Sequence, residues 1–161
     1  MSVDPTEDGP AGARLAVNDE HHCFGCGRLN PFGLKLVFYV NADQSVWTPW
    51  TPTRECEGYA GMAHGGIIST VLDEAMGWAV SSRGIWAVTG RMSVAFRKPV
   101  EIGSPTRATG RIVADNRRTL DLAAEIRRAD DGLLLADSRA TFVRVPPERA
   151  AEWQGRYLGG T

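Results

Sequence analysis

Three things are scarce in this sequence, and each scarcity removes a class of function. No stretch reaches the ~18 consecutive apolar residues that a membrane-crossing helix needs. Cysteine occurs only three times, an odd count too sparse for the disulfide framework of a small secreted domain. Net charge is nearly absent: 18 Lys and Arg face 19 Asp and Glu, a formal balance of −1. That argues against nucleic acid or an anionic membrane as the principal partner. The opening stretch MSVDPTEDGPAGAR is acidic and rich in Pro and Gly, with no apolar core of a secretion signal. Together these features predict a cytoplasmic protein with reduced thiols.

What is present is ordinary globular material: 161 residues, 43% apolar and 23% charged. A chain of this length suits one domain and buries roughly 68–70% of its unfolded surface without staples. Residues 1–20 read as a disordered or loosely attached arm, 21–147 as the folded domain, and 148–161 as a peripheral tail with at most one helical turn. Within the domain, LKLVFYV (34–40) alternates as a strand, and SVWTPWT (45–51) pairs with it at an edge or bulge because of Pro49. A helix follows from Gly65 or Gly66 to about Ser82, with Ile67, Ile68, Val71, Leu72, Ala75, Met76, Ala79 and Val80 on a wide apolar face and Gly84 as its stop.

The period then changes to two. Strands are expected over about 86–98, 106–114, 119–128 and 133–145, separated by EIGSP, DNRR and DDG turns. Such short connections imply antiparallel neighbours, and a lone apolar helix beside an antiparallel sheet implies an α+β fold in which the sheet covers the helix. A βαβ nucleotide fold would need repeated helices, which the sequence lacks, and no internal repeat is present.

The chemistry concentrates in GMAHGGIISTVLDEAMGWA (61–79). A helix N-terminus carries free N–H groups and about half a positive charge. Glycines there let a ligand reach the backbone, which suits a phosphate or the oxyanion formed when a carbonyl is attacked. Gly65 and Gly66 fit that use, and they equally fit relief of crowding at a loop-to-helix junction. His64 either positions a substrate or water or serves as a local hydrogen-bonder. Asp73 and Glu74 fall on opposite flanks of the apolar stripe, so the helical wheel does not separate them. Ser69, Thr70 and Gly77 leave more room beside Asp73.

This stretch closely resembles the central-helix motif of hotdog-fold acyl-CoA thioesterases, nearest to the phenylacetic-acid-degradation type within the 4-hydroxybenzoyl-CoA thioesterase superfamily. The resemblance rests on HGG followed by a carboxylate nine residues after the histidine: His64, Gly65, Gly66 and Asp73. CFGCGRLNPFGLKLVF upstream and TGRMSVAFRKPVEIGSPTRATGRIV downstream resemble flanking parts of the family, so it covers about 22–145. It implies a curved antiparallel sheet of five to six strands wrapped around one long central helix. It further implies hydrolysis of a small-to-medium or aromatic acyl-CoA to free acid and CoA. Gly66, with Gly65, would polarise the carbonyl, and Asp73 would act as general base or as nucleophile. The rival reading is a non-catalytic acyl-CoA or acyl-carrier binding protein on the same fold.

The resemblance also implies a homodimer with composite sites, paired into a tetramer as a dimer of dimers, and no cofactor beyond the coenzyme A of the substrate. Ser69 and Thr70 become candidates for orienting water, and Thr89 for lining the cleft. Arg91, Arg97, Lys98, Arg117 and Arg118 are candidates for the CoA phosphates. One departure stands out: many members carry Asn or Gln six residues before the histidine, and this chain has Gly58, with Glu57 and Tyr59 as nearby substitutes.

HHCFGC adds Cys23 and Cys26, half of a zinc site by spacing. A complete set would need two further ligands, with His21 and Cys56 as candidates. The second cysteine knuckle is missing, so the expectation is no metal and reduced cysteines in a packed turn.

Overall fold

The computed structural model describes residues 12–158. Among the described residues, one seven-stranded sheet, two α-helices and a short 3-10 helix (Arg54–Cys56) make up the fold. The strands are β1 (Ala13–Arg14), β2 (Tyr39–Val40), β3 (Val46–Trp50), β4 (Ala87–Phe96), β5 (Thr106–Asp115), β6 (Thr119–Arg128) and β7 (Leu134–Arg144). The helices are α1 (Gly65–Ser81) and α2 (Pro147–Tyr157). The sheet order is β1-β2-β3-β5-β6-β7-β4, and every pairing is antiparallel. Two strands are only two residues long, which takes the count beyond the expected five to six.

Helix α1 buries Ile68, Val71, Leu72, Ala75, Met76, Trp78, Ala79 and Val80. Each large aliphatic side chain in that set contributes roughly 1.5–3 kcal/mol by leaving water. Facing them, β6 turns Leu120, Leu122, Ala124 and Ile126 inward, as its alternation requires. The helix touches five strands, β3 to β7. A flat array of five strands spans about 19 Å at normal spacing, far wider than a helix of about 10–12 Å diameter, so the sheet must curl around it. Closest approach falls at Gly110 on β5: a Cβ there would lie 2.3 Å from the Ala75 carbonyl oxygen. This is the hotdog architecture, an α+β fold.

Three expectations change. Leu36 and Phe38 are buried as the alternation requires, but only Tyr39 and Val40 of 34–40 form a ladder. The Leu34 and Leu36 N–H groups instead bond to the Phe24 and Gly25 carbonyls of the preceding turn, which removes them from the sheet. The tail holds the 11-residue α2, not a single turn. Its Trp153 and Tyr157 meet Trp86, and Tyr157 lies edge-on to His21 at 4.9 Å. Of the expected loose arm, residues 1–11 lie outside the described part. The rest is tied down: Leu15 N–H bonds to Phe38 O, and Asn18 N–H bonds to Tyr157 O at 2.9 Å. Among the described residues, no helix is long and apolar enough to cross a membrane.

Candidate active site

At the mouth of α1, His64 is the N-cap, and its Nδ1 accepts the Gly66 N–H at 2.9 Å. The donor assigned to a substrate carbonyl is therefore held by the histidine beside it. Ile67 and Ile68 both donate to the His64 carbonyl. The Phe96 ring covers the same mouth: a Cβ on Gly65 would lie 3.4 Å from its Cζ. Alternation placed Phe96 on a strand but gave no sign of this contact, because β4 reaches the helix only through the sheet's curvature. A cleft of about 430 Å³ opens here, lined by Glu57, Gly58, Tyr59, Met62, His64 and Gly65 among others.

Gly58 has a local reason to be glycine. Its N–H bonds to Met62 O at 2.8 Å, and a Cβ would stand 3.0 Å from His64 Cα. An Asn or Gln would press on the histidine. Of the two nearby candidates, Glu57 Oε1 accepts the Gly61 N–H at 2.6 Å, and Tyr59 lines the cleft with 85% of its surface exposed.

Asp73 lies two turns along α1, about 12 Å from Gly65 at 1.5 Å per residue. Thr89 Oγ1 donates to Asp73 Oδ1 at 2.6 Å. Burial pushes the Asp73 carboxyl above the ordinary aspartate range, and the Thr89 hydroxyl pulls the other way. Thr89 owes its place to a bulge: it pairs with Phe142 and Arg91 pairs with Thr141, so Gly90 is left over. The sequence marked Thr89 as a cleft residue, but its partnership with Asp73 needed the register of β4.

Ser69 and Thr70 donate back into the helix, to Gly65 O at 2.8 Å and Gly66 O at 3.0 Å. With the protons directed to the backbone, each hydroxyl oxygen keeps lone pairs that can accept from a water. Of the basic candidates, Arg97 is paired with Asp137 at 2.7 Å. Arg91 lines a cleft of about 380 Å³ with Arg139.

Glu74 is packed rather than solvated: it points under the Cys23–Cys26 turn, and Cys23 Sγ lies 3.4 Å from its Oε1. Its Oε2 is buried without a hydrogen-bond partner among the described residues. Burial, with the negative charge on Cys23, pushes its carboxyl up to about 8. Cys23 itself is lowered, chiefly because Cys26 donates to it, and Cys26 is correspondingly raised. Cys56 is buried, and neither it nor His21 joins this group.

Comparison with known proteins agrees with the geometry. Residues 60–135 match the Thioesterase superfamily model. Acyl-coenzyme A thioesterase THEM4 of Mus musculus is 24% identical over 113 residues, 70% of this chain and 49% of that protein. The Bos taurus protein of that name is 26% identical over 129 residues, 80% of this chain and 53% of the relative. The chain thus spans about half the length of the curated relatives it matches. Among solved structures, a thioesterase superfamily protein superposes with a TM-score of 0.72 at 28% identity, covering 76% of this chain and 63% of its own. The Escherichia coli PaaI protein from the phenylacetic acid degradation operon superposes with a TM-score of 0.64 at 21% identity, covering 70% and 81%. That likeness establishes the fold alone.

Proposed function

We propose that the protein hydrolyses an acyl-CoA thioester to the free acid and CoA, the premise being a hotdog fold whose central helix matches the thioesterase superfamily. The observation that carries the reading is Asp73, half-buried on α1 with the Thr89 hydroxyl on one oxygen. Its second oxygen is left to take a proton from water or to attack the carbonyl. A hypothetical thioesterase of Streptococcus pneumoniae solved with coenzyme A and a Streptococcus mutans protein bound to acetyl-CoA share this fold, which supports the choice of substrate class.

Geometry within one chain sets a condition on the mechanism. Seven to eight residues, about 10–12 Å of helix rise, separate the Gly65–Gly66 mouth from Asp73, too far for both to act on a single carbonyl. A working site then takes the helix mouth from one subunit and Asp73 from another, so a homodimer is the minimal unit and a tetramer is two such dimers. Strand β4 carries Thr89, lies at the sheet's edge and exposes Val88 and Phe96, which suits contact with a second copy. In that site the carbonyl oxygen accepts the Gly66 N–H after the His64 ring has turned away, with Gly65 N–H alongside. Asp73 serves as base or nucleophile. The acyl group is small to medium or aromatic, and Arg91, Lys98, Arg117 and Arg118 remain for the CoA phosphates.

Thiol release over a panel of acyl-CoAs tests this reading. Asp73→Asn is expected to lower kcat by about 10²-fold or more, the lower range for general acid–base catalysis. Glu74→Gln is expected to lower it far less. The reverse order overturns the assignment of Asp73. Binding of acyl-CoA without turnover replaces hydrolysis with a carrier or sensor role.

A further inference from the structure

The sulfurs of Cys23 and Cys26 and a carboxylate oxygen of Glu74 lie within 4.8 Å of one another. They come from two distant segments, a turn near the start of the chain and the middle of α1. Close packing holds them together: a Cβ on Gly25, between the cysteines, would lie 2.2 Å from Glu74 Cγ, so the turn rests directly on the glutamate. Backbone bonds fix the turn itself. Gly27 N–H bonds to Cys23 O at 2.9 Å, and Leu36 N–H bonds to Gly25 O at 2.9 Å. His21 Nδ1 accepts the Cys23 N–H at 3.3 Å.

Glu74 is largely buried and forms no ion pair with Lys, Arg or His among the described residues. Its Oε2 has no hydrogen-bond partner there either. Two sulfurs and a carboxylate oxygen, three groups that ligate a metal once deprotonated, thus converge on one point with no Lys or Arg ion pair to occupy the carboxylate among the described residues. Beside them lies a cleft of about 350 Å³ walled by Trp78, Trp86, Trp153 and Tyr157.

The geometry points to a divalent transition-metal site of the zinc class, with Cys23 Sγ, Cys26 Sγ and a Glu74 carboxylate oxygen as its protein ligands and the fourth position open toward the aromatic cleft. Two thiolates select a soft or borderline ion such as Zn²⁺ over Mg²⁺ or Ca²⁺. Three protein ligands with one exchangeable position is a coordination pattern well suited to tetrahedral zinc. Binding releases the ligand protons to solvent as the ion takes their place. The metal would pin the turn to α1 at the residue next to Asp73. The site differs from the one that Cys-x2-Cys spacing suggested, since Glu74 takes the place considered for His21 and Cys56.

Cobalt titration of the full-length, metal-free protein with its thiols reduced tests the site, and its readout is independent of thioester turnover. The wild type is expected to bind one Co²⁺ per chain. It should develop sulfur-to-cobalt charge-transfer absorption and the intense visible bands of four-coordinate cobalt, both lost on adding Zn²⁺. Cys23→Ser and Cys26→Ser should each abolish the charge-transfer signal or weaken binding more than about tenfold, a change of 1.4 kcal/mol. Glu74→Gln should weaken binding and shift the visible bands, and Cys56→Ser should leave the titration unchanged. Wild-type protein that is folded by circular dichroism yet shows no sulfur-to-cobalt absorption in excess Co²⁺ overturns the site, whatever the variants do. An unaltered titration in Glu74→Gln overturns the three-ligand set.

Discussion

The Thr89 hydroxyl holds one oxygen of the Asp73 carboxylate at 2.6 Å, joining the edge strand to the central helix. The bond takes up one oxygen of Asp73 and restricts how the carboxylate can turn. Thr89→Val keeps the shape of the side chain and removes the donor. A hydrogen bond to a charged group is worth about 1.5–3 kcal/mol, so kcat is expected to fall roughly 10- to 100-fold while KM changes little. Steady-state kinetics on the best acyl-CoA decide the matter. A rise in KM at constant kcat would show that Thr89 contacts substrate instead.

His64 Nδ1 caps the helix by accepting the Gly66 N–H, the same donor that the proposed mechanism gives to the thioester carbonyl. The two uses compete, so His64→Ala should act in opposite senses on stability and on substrate binding. Loss of an N-cap costs about 0.5–2 kcal/mol, visible as a lower Tm. KM for the thioester is expected to fall in the same variant, because the carbonyl no longer displaces a ring. A higher KM together with a collapse of kcat would show that the imidazole touches the substrate.

Gly110 lies against the backbone of α1, where a Cβ would stand 2.3 Å from Ala75 O and 2.9 Å from Met76 N. Neither atom belongs to a side chain that can swing aside. Gly110→Ala should therefore destabilise the fold at the upper end of the ~1–3 kcal/mol usual for overpacking, or beyond it. Urea unfolding measures the loss. A midpoint equal to wild type would mean that helix and sheet are less tightly apposed than the structure has them.

Arg144 clamps the Asp115 carboxylate with two N–H groups, one of them 2.6 Å from Oδ1, and holds the Asp115 carboxyl down to about 2. A folded-state value below the ordinary 3.8 gives stability that is present above about pH 4 and lost as pH falls toward 2. Arg144→Gln should lower Tm at neutral pH by a small amount, as exposed pairs do. The gap from wild type should close on acidification. A gap that persists unchanged at pH 2 would assign the effect to packing.

Periodicity was sufficient where one face of an element is buried along its length. The apolar spacing of Ile68, Val71, Leu72, Ala75, Met76 and Ala79 placed α1 to within a residue, and Leu120 to Ile126 placed β6. It misled at 34–40, where Leu36 and Phe38 are buried but their backbone is claimed by the preceding turn. It missed most of α2, whose residues include none that is buried.

The site divides along the same line. HGG and the following carboxylate are local in sequence, so His64, Gly65, Gly66 and Asp73 were legible as candidates. The Thr89–Asp73 bond, the Phe96 cover and the placing of Glu74 under Cys23 each join segments far apart in the chain. No spacing rule reaches across such distances. The His64–Gly66 bond is local, yet it depends on a rotamer that the sequence does not specify.

The contact between Gly110 and Ala75 has a consequence for how this scaffold can change over time. The helix mouth and the carboxylate ride on one rod, and that rod bears on the sheet where neither side can yield. A substitution that tilts the rod moves both ends of it at once. Retuning toward a new acyl group is thus easiest in the covering pieces, such as Phe96, Tyr59 and the loop around Gly58, which can be exchanged while the rod stays in its bearing.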